Sequence, residues 1–330
     1  MENVLKIKDL KVSFDIYDGT VQAVRGVSFQ IQEGEILAIV GESGCGKSVT
    51  AQSVLRLNES SSVTTTAELL QLCGVDILNS SEKEIDKVRG KLAGMVFQDP
   101  LTSLNPTMKV GLQITEALYR REKMSASQCR EEAIRLLDLV HIPDADIRAD
   151  QYPHQFSGGM CQRIMIAMAL AGKPKLLIAD EPTTALDVTI QIQILKLIAQ
   201  IRKEEGIAIL LITHDFGVVA NLADRVAVMY AGKIVETGKT EEVFCHPGHP
   251  YTKGLLESLI LPDGNKILKS IPGNPPDLYA PPVGCAFAAR CSYCMNICLR
   301  KEPSEIMLKE GHTASCWKLH PGALKGDTAS

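Results

Sequence analysis

The sequence predicts an α/β fold with a mostly parallel sheet, and three observations lead to this prediction. Apolar segments of strand length alternate with helical patterns along the chain. Several of these segments are apolar throughout, which is typical of parallel strands that helices cover on both faces. The residues Gly41–Ser48, GESGCGKS, fit the template of a phosphate-binding loop between a strand and a helix.

The N-terminal elements are predicted to be strands. Val4–Phe14 and Val21–Ile31 have strand character, with a turn at Asp18-Gly19 between them. Ile36–Val40 is apolar throughout and ends at the phosphate-binding loop, after which Val49–Leu57 starts a helix. This strand–loop–helix order is the context that phosphate binding requires.

The later elements predict a division of the chain. The polar segment Asn58–Thr66 is expected to be a loop. The elements after it are strand Met95–Phe97, helical segment Val110–Val140, strand Leu176–Ala179, helix Ile190–Arg202 and strand Ile207–Thr213. The almost wholly helical stretch of residues about 99–172 predicts a helical subdomain within a domain of residues 1–240. Prolines and glycines recur throughout residues 241–330, which are therefore predicted to be a C-terminal extension.

Composition and charge narrow the class of protein. The chain has 330 residues, 45% of them hydrophobic, and a net charge of −4, so no overall basic field favours nucleic acid as a partner. The N-terminus lacks the apolar core of a signal peptide, and no apolar run is long enough to span a bilayer. We therefore expect a cytoplasmic protein whose role at a membrane depends on its partners.

The phosphate-binding loop predicts how a nucleoside triphosphate is held. Its glycines let successive backbone N–H groups face an anion, and the following helix contributes the positive end of its dipole. Lys47 is expected to reach the β- and γ-phosphates, and the Ser48 hydroxyl to bind Mg²⁺.

Two acidic residues end the apolar strand Leu176–Ala179. A carboxylate at the carboxyl end of a parallel strand faces the ligand crevice, so Asp180 is expected to hold Mg²⁺. Glu181, one residue further on, is then placed to act as the general base that polarises an attacking water.

A second anion-binding segment follows the helical stretch. Ser157-Gly158-Gly159 precedes an apolar helix, Ile164–Leu170, and so offers a hydroxyl and N–H groups at a helix start. Phe156–Arg163 resembles the signature motif of ABC-type ATPases, in which the signature of one domain covers ATP held by the phosphate loop of another. The resemblance covers about residues 4–240 and implies the ABC-type P-loop fold, with a RecA-like core sheet, an N-terminal antiparallel β subdomain and a helical subdomain.

The resemblance also implies roles for particular residues. Gln98 resembles the glutamine that senses Mg²⁺ and the attacking water, His214 the switch histidine that contacts the γ-phosphate, and Asp187 belongs to the loop that contacts the opposite protomer. Phe14 is similar to the aromatic residue that stacks on adenine, with Tyr17 as the rival. The implied nucleotide-binding residues are Phe14, Gly41, Ser43, Gly44, Cys45, Gly46, Lys47, Ser48, Val49, Ser157, Gly158, Gly159 and Asp187. The implied catalytic residues are Glu181, His214 and Gln98, and the Mg²⁺ ligands Ser48, Gln98 and Asp180.

Three segments resemble the oligopeptide and dipeptide importers within this family. They are the extended glutamine loop Gln98–Pro106, the segment that starts with His249–Thr252 and continues through Leu255–Leu259, and Ile271–Pro276. The region of Gly41–Leu57 looks more like the first ATPase subunit of these importers than the second. The implied activity is ATP hydrolysis that powers peptide import.

Half of the ten cysteines lie near the C-terminus, which suggests a metal site in a reducing compartment. Cys285, Cys291, Cys298 and Cys316 fit the spacing of the importer extension, where four cysteines can hold a 4Fe–4S cluster. Four thiolates also suit zinc, which remains the alternative. Cys294 is additional to this pattern and either substitutes for a neighbour or stays a free thiol.

The implied partners are a second homologous ATP-binding subunit, two transmembrane permease subunits and, indirectly, an extracytoplasmic peptide-binding protein. The pair of ATPase subunits would be a heterodimer, with a homodimer possible in isolation, at the cytoplasmic face of the membrane. A nickel or other small-solute importer is the alternative within the same branch. A soluble ABC ATPase of DNA repair or translation and a non-hydrolysing regulatory module are further alternatives.

Overall fold

The computed structural model describes residues 2–119, 124–184, 186–258 and 270–321. Its strands are β1 Asn3–Ile16, β2 Gly19–Gln32, β3 Ile36–Val40, β4 Val63–Thr66, β5 Leu69–Leu72, β6 Val75–Asp76, β7 Ala93–Val96, β8 Leu176–Asp180, β9 Ala208–Thr213, β10 Arg225–Tyr230, β11 Lys233–Lys239, β12 Ile306–Lys309 and β13 His312–Ala314. They form two sheets, which together determine where the loops of the candidate site lie.

The α-helices are α1 Lys47–Ser53, α2 Glu82–Val88, α3 Pro100–Ser103, α4 Val110–Tyr119, α5 Ala126–Leu139, α6 Ala145–Arg148, α7 Gly158–Leu170, α8 Val188–Glu205, α9 Phe216–Leu222, α10 Thr240–Cys245, α11 Pro250–Glu257 and α12 Asn296–Arg300. The interval 99–172 holds α3 to α7 and, in its described part, no strand. No helix within the described ranges is long and apolar enough to cross a membrane.

The larger sheet has the strand order β12-β13-β11-β10-β3-β9-β8-β7. Strands β10, β3, β9, β8 and β7 are parallel to one another, as the continuous apolar segments predict, whereas β11 is antiparallel to β10. Every residue of β3, β8 and β9 is buried. Because parallel strands end at the same edge, the loops after β3, β7, β8 and β9 meet there.

The smaller sheet is antiparallel and has the order β2-β1-β5-β6, with β4 also paired to β1. The prediction that Asn58–Thr66 is a loop is wrong at its C-terminal end, because Val63–Thr66 forms β4. Three β-branched threonines favour an extended backbone, and the adjacent β1 supplies the hydrogen bonds that a polar pattern alone does not reveal. The helix predicted over Val49–Leu57 ends earlier than expected, because α1 stops at Ser53. The chain then continues in turns, in which the backbone N–H groups of residues 54–56 each bind the carbonyl three residues before them.

Residues beyond 240 extend the larger sheet, because β13 pairs with β11 and β12 pairs with β13. A buried polar contact reinforces this junction: Nε2 of His312 lies 2.8 Å from Oε1 of Glu236. The same carboxylate accepts hydrogen bonds from the backbone N–H groups of Gly248 and His249 at 2.7 and 2.9 Å. The start of α11 and the end of the described chain are thereby tied to one core strand.

His249 is expected to make the stability of this junction depend on pH. Burial lowers the pKa of its imidazole from 6.5 to about 4, and its Nδ1 accepts a hydrogen bond from the Tyr251 backbone N–H as the cap of α11. Between pH 6.5 and 4 the unfolded chain binds a proton that the folded chain does not. The free energy of unfolding should therefore fall by roughly 3 kcal/mol as the pH is lowered through this window.

The variant His249→Asn tests this expectation, because Asn is a good helix cap and does not titrate. Urea unfolding at pH 7 and pH 4 should show a smaller acid-induced loss in the variant than in the wild type. Equal losses in the two proteins would contradict the assignment of the effect to His249.

Candidate nucleotide-binding site

A cavity of about 450 Å³ lies at the edge where the parallel strands end. It is lined by Ala23, Ser43, Gly44, Gly46, Lys47, Ser48, Val49, Gln98, Glu181 and His214. Most of these residues come from loops that follow β3, β7, β8 and β9, or from the start of α1. The topology thus brings together residues as far apart in the sequence as Ala23 and His214.

Lys47 is the most tightly held member of the phosphate-binding loop. Its side chain is buried, and its ammonium group donates hydrogen bonds to the backbone carbonyls of Gly41 and Glu42 at 2.8 and 2.9 Å. The thiol of Cys45 lies 3.8 Å from the same ammonium group. The buried ammonium group of Lys47 is therefore already removed from water and held in one orientation by the two carbonyls, as phosphate binding requires.

Two glycines of the loop have left-handed backbones, with φ +76° at Gly44 and +102° at Gly46. A Cβ atom at Gly46 would lie 2.3 Å from the carbonyl oxygen of Ala23, whereas one at Gly44 would meet nothing within 4 Å. Gly44→Ala should cost about 1 kcal/mol for the backbone conformation alone. Gly46→Ala should cost roughly 1–3 kcal/mol more because the backbone of the strand must also move.

Chemical denaturation of the two variants measures this difference, and titration with MgATP should show weaker binding by Gly46→Ala than by Gly44→Ala. Equal stabilities would mean that the close approach to Ala23 does not determine the use of glycine at position 46.

Asp180 and Ser48 form a pair beside the loop. Oδ1 of Asp180 accepts a hydrogen bond from the Ser48 hydroxyl at 2.9 Å, although Asp180 itself is buried and does not line the cavity. Burial raises the pKa of the Asp180 carboxyl, and the charge of Glu181 raises it further. Among the described residues, the ionised Asp180 carboxylate has no full cationic partner. A buried carboxylate of this kind, paired with a hydroxyl, is a donor set that suits Mg²⁺.

Glu181 is the centre of the polar contacts on the other wall. Its Oε2 accepts hydrogen bonds from Gln98 Nε2 at 3.1 Å and from the Thr184 hydroxyl at 2.8 Å. Its Oε1 lies 3.3 Å from Nδ1 of His214. The backbone of Glu181 has φ 45°, an unusual value for a residue with a side chain, and its N–H is bound to the carbonyl of Ile212. Two of the residues predicted to be catalytic, Gln98 and His214, therefore both contact the third, Glu181.

The signature segment lies away from this cavity. Ser157 caps α7 by accepting a hydrogen bond from the Met160 N–H, as a serine before a helix predicts. Asp187 caps α8 in the same way through the Ile190 N–H, while Ala185 of the same loop lies outside the described residues. Ser157, Gly158 and Asp187 are exposed, and neither they nor Gly159 line the cavity.

Three further residues predicted to bind nucleotide do not line the cavity. Phe14 packs half-buried against the core of the smaller sheet and pairs with Val21 and Val63, so the structure does not place its ring at the cavity. Gly41 and Cys45 are buried behind the loop. Their effect on a ligand would be exerted through the backbone of the loop.

The C-terminal cysteines lie near one another. Burial raises the pKa of Cys285 to about 12, and repulsion from Cys298, Cys316 and Cys291 adds to this effect. Cys294 is exposed. Within the described ranges, no group of three or more His, Cys, Asp or Glu side chains is placed to hold a metal ion. The prediction of an iron–sulfur cluster is therefore not supported by this arrangement.

Comparison with known proteins identifies the family. A family model described as ABC transporter matches residues 24–184, and one described as oligopeptide/dipeptide transporter, C-terminal region, matches residues 235–298. The oligopeptide transport ATP-binding protein OppD of Bacillus subtilis (strain 168) is 55% identical over 98% of this chain and 90% of its own length. The chain belongs to the ABC transporter ATP-binding proteins. The dipeptide transport ATP-binding protein DppD of the same organism is 54% identical, over 99% of both chains.

Solved structures agree with this assignment. The dimeric structure of MJ0796, a bacterial ABC transporter cassette, matches with a TM-score of 0.64 and 28% identity over 72% of this chain and 98% of that one. A dimeric post-hydrolysis state of the same cassette, bound to ADP and phosphate, matches with a TM-score of 0.62 and 26% identity over the same shares. The predicted ABC-type fold is thereby confirmed. As a member of the family, this chain is an ATPase that uses ATP and Mg²⁺.

Sequence reasoning missed three residues that contact the site. Thr184 binds the carboxylate of Glu181, Tyr251 accepts a hydrogen bond from the backbone N–H of Glu42, and Arg290 binds the Glu42 carboxylate. A threonine three residues after the strand-end acid is a local signal that could have been noticed. The other two lie more than 200 residues from the loop and give no local signal.

Proposed function

We propose that this ABC ATPase is the ATP-hydrolysing subunit that powers import of dipeptides or oligopeptides through a binding-protein-dependent transporter. The observation that carries the proposal is the identity of 54–55% to DppD and OppD over nearly the whole chain. The match at residues 235–298 adds support, because it covers a part of the chain that the ABC transporter model does not. On this basis residues 1–240 are the nucleotide-binding domain and residues 241–330 the importer extension.

In this proposal the ATP phosphates lie in the loop, bound by the N–H groups of residues 43–49, with Gly41 and Cys45 supporting the backbone. Lys47 exchanges its two carbonyl partners for phosphate oxygens. Ser48, Asp180 and Gln98 would hold Mg²⁺, which would supply positive charge beside the phosphates. The existing hydrogen bond between Ser48 and Asp180 supports this, because it places the two oxygens 2.9 Å apart beside the loop.

Glu181 acts as the general base of hydrolysis. Its carboxylate is held on both sides by Gln98, Thr184 and His214, so its position is determined before substrate arrives. Gln98 would orient the attacking water and His214 would contact the γ-phosphate. Phe14 would stack on adenine only if its ring moved away from the core of the smaller sheet, against which it now packs.

The signature segment acts on a second subunit. Ser157, Gly158 and Asp187 are exposed and away from the chain's own cavity, whereas Gly159 is buried against Ile190 of α8. A helix N-terminus with exposed N–H groups can bind the γ-phosphate held by another chain. The dimeric ABC cassettes among the similar structures support such an arrangement. The partner is proposed to be a homologous ATP-binding subunit, with a homodimer in isolation.

The permease subunits are proposed to dock on the helical part. A largely apolar cavity of about 500 Å³ lies between α4 and α5 and is lined by Gly111, Leu112, Cys129 and Ala133, among others. The side chains of Leu112 and Leu101 are 54% and 63% exposed. A short apolar helix of a permease would cover this surface and place the chain at the cytoplasmic face of the membrane.

A cysteine-bound 4Fe–4S cluster, with zinc as the alternative, stays a proposal for the extension. Its support is that Cys298 lies close enough to Cys285, Cys291 and Cys316 for its charge to raise the pKa of each of these three thiols. Analysis of iron, sulfide and zinc in anoxically purified protein tests it. Iron and sulfide in equal, stoichiometric amounts are expected; zinc without sulfide would identify the alternative, and neither metal would exclude both.

Affinity purification of the chain from its own cells tests the function. Two polytopic membrane proteins and a second ATPase should co-purify, and a peptide-loaded binding protein should stimulate hydrolysis by the reconstituted complex. Stimulation by nickel or another small solute alone would favour the alternative importer. Co-purification with ribosomes or DNA would reject import.

A further inference from the structure

An ion pair connects the C-terminal extension to the phosphate-binding loop. Arg290, next to Cys291, donates from Nη1 and Nη2 to the two carboxylate oxygens of Glu42 at 2.7 and 3.0 Å. Its side chain is only 6% exposed. Such a two-point pair between a buried guanidinium and a carboxylate determines the orientation of both groups. Glu42 is the second residue of the loop, so the pair joins positions 248 residues apart.

The contacts of Glu42 lead directly to Lys47. The backbone N–H of Glu42 donates to the hydroxyl of Tyr251, in α11, at 2.9 Å. The backbone carbonyl of Glu42 accepts from the Lys47 ammonium at 2.9 Å. Side chain, N–H and carbonyl of Glu42 are therefore all engaged, two of them by residues beyond position 240.

The guanidinium of Arg290 is itself held in place. It lies 5.8 Å from the ring centre of Tyr230 and 6.0 Å from that of Phe287. Its Nε donates to the carbonyl of Pro272, and Phe287 packs against Tyr251 and Tyr230. An arginine with its stem packed and its donors occupied loses little further entropy when it orients a carboxylate. The extension therefore presents a rigid support to the loop.

We propose that Arg290 is a positioning residue for the ATPase: through Glu42 it holds the phosphate-binding loop in the geometry that binds MgATP. Tyr251 assists from the other side of the same residue. The C-terminal extension then completes the nucleotide site of its own chain. This inference rests on the proposed function of the cavity around Lys47.

The test compares MgATP affinity among full-length variants, by titration calorimetry, with thermal stability measured in parallel. Arg290→Met and Glu42→Gln each remove one side of the pair, and the double variant removes both. Arg290→Lys keeps the charge without the two-point geometry, and Arg300→Met is the matched control, since Arg300 is exposed in the same extension. Loss of the pair should weaken MgATP binding roughly tenfold or more, because a small displacement of a binding group has large effects.

The expected result has three parts. Arg290→Met and Glu42→Gln lower the MgATP affinity to a similar degree. The affinity of the double variant is no lower than that of the single variant that binds less well. Arg290→Lys recovers part of the affinity. Arg300→Met binds like the wild type. If Arg290→Met does not fold, Glu42→Gln and Arg290→Lys decide by the same criterion, because both retain the arginine or its stem.

Affinities of the single variants that match the wild type would overturn the positioning role, as would effects that multiply in the double variant. A wild-type chain that binds no MgATP would give a different result, because it would reject the nucleotide site around Lys47 and this inference with it.

Discussion

Replacing Glu181 with Gln should lower the rate of ATP hydrolysis by about 10²- to 10⁴-fold, the range typical of a lost general base. The amide keeps the shape and can still contact Thr184 and His214, but it cannot take a proton from water. MgATP affinity should stay within about twofold of the wild type, because phosphate binding depends on the loop and Lys47. ATP-bound dimers of Glu181→Gln should therefore accumulate.

Single-turnover hydrolysis and size-exclusion chromatography with ATP measure these two effects. Glu205→Gln, at the exposed C-terminal end of α8, is the matched control and should behave as the wild type. Hydrolysis by Glu181→Gln at a near-normal rate would reject Glu181 as the base.

Replacing Lys47 with Ala should lower the MgATP affinity by roughly 100-fold or more and so remove binding almost completely. The reason is that the variant loses the contact between the desolvated ammonium group and the phosphates. The carbonyls of Gly41 and Glu42 would also lose their common donor. Lys47→Arg should fail to restore binding, because the buried space beside Cys45 fits an ammonium and not a planar guanidinium.

Thermal unfolding with and without MgATP gives the clearest comparison, because a ligand that binds the folded state raises the melting temperature. The wild type should show a shift that grows with MgATP concentration, and both Lys47 variants should show little or none. A shift of wild-type size in Lys47→Ala would place the nucleotide elsewhere.

The core of the fold was predictable because its signals are local. Ile36–Val40 is apolar throughout and forms β3 with those same bounds. Phosphate-loop residues and the acids at the end of β8 were found by their spacing and by the rule that parallel strands end at one edge. The contacts of Glu181 with Gln98 and His214 follow from that rule, since all three follow neighbouring strands.

What escaped prediction depends on tertiary context. The threonines of β4 become a strand only because β1 offers a partner, and the polar composition alone favours a loop. The helical signal after the phosphate loop continues past Ser53, yet the chain turns there. Arg290 lies in a proline- and cysteine-rich segment, and no local sequence pattern predicts that this segment contacts Glu42.

The cysteine cluster shows a different limit. The structure places Cys298 near Cys285 and Cys316, since its charge raises the pKa of both of these thiols. Spacing does not determine whether the thiols approach within ligand distance of a common metal ion, and the described residues contain no such arrangement. Chemical analysis of the purified protein is therefore the measurement that decides the metal question.

We propose that ATP hydrolysis at the cavity around Lys47 and Glu181 drives peptide import. Uptake of a labelled peptide into proteoliposomes, which contain the permeases, both ATPase subunits and a binding protein, tests it directly. We expect ATP-dependent uptake with the wild-type chain and none with Glu181→Gln. Equal uptake with both chains, or transport of a different solute only, would contradict the claim.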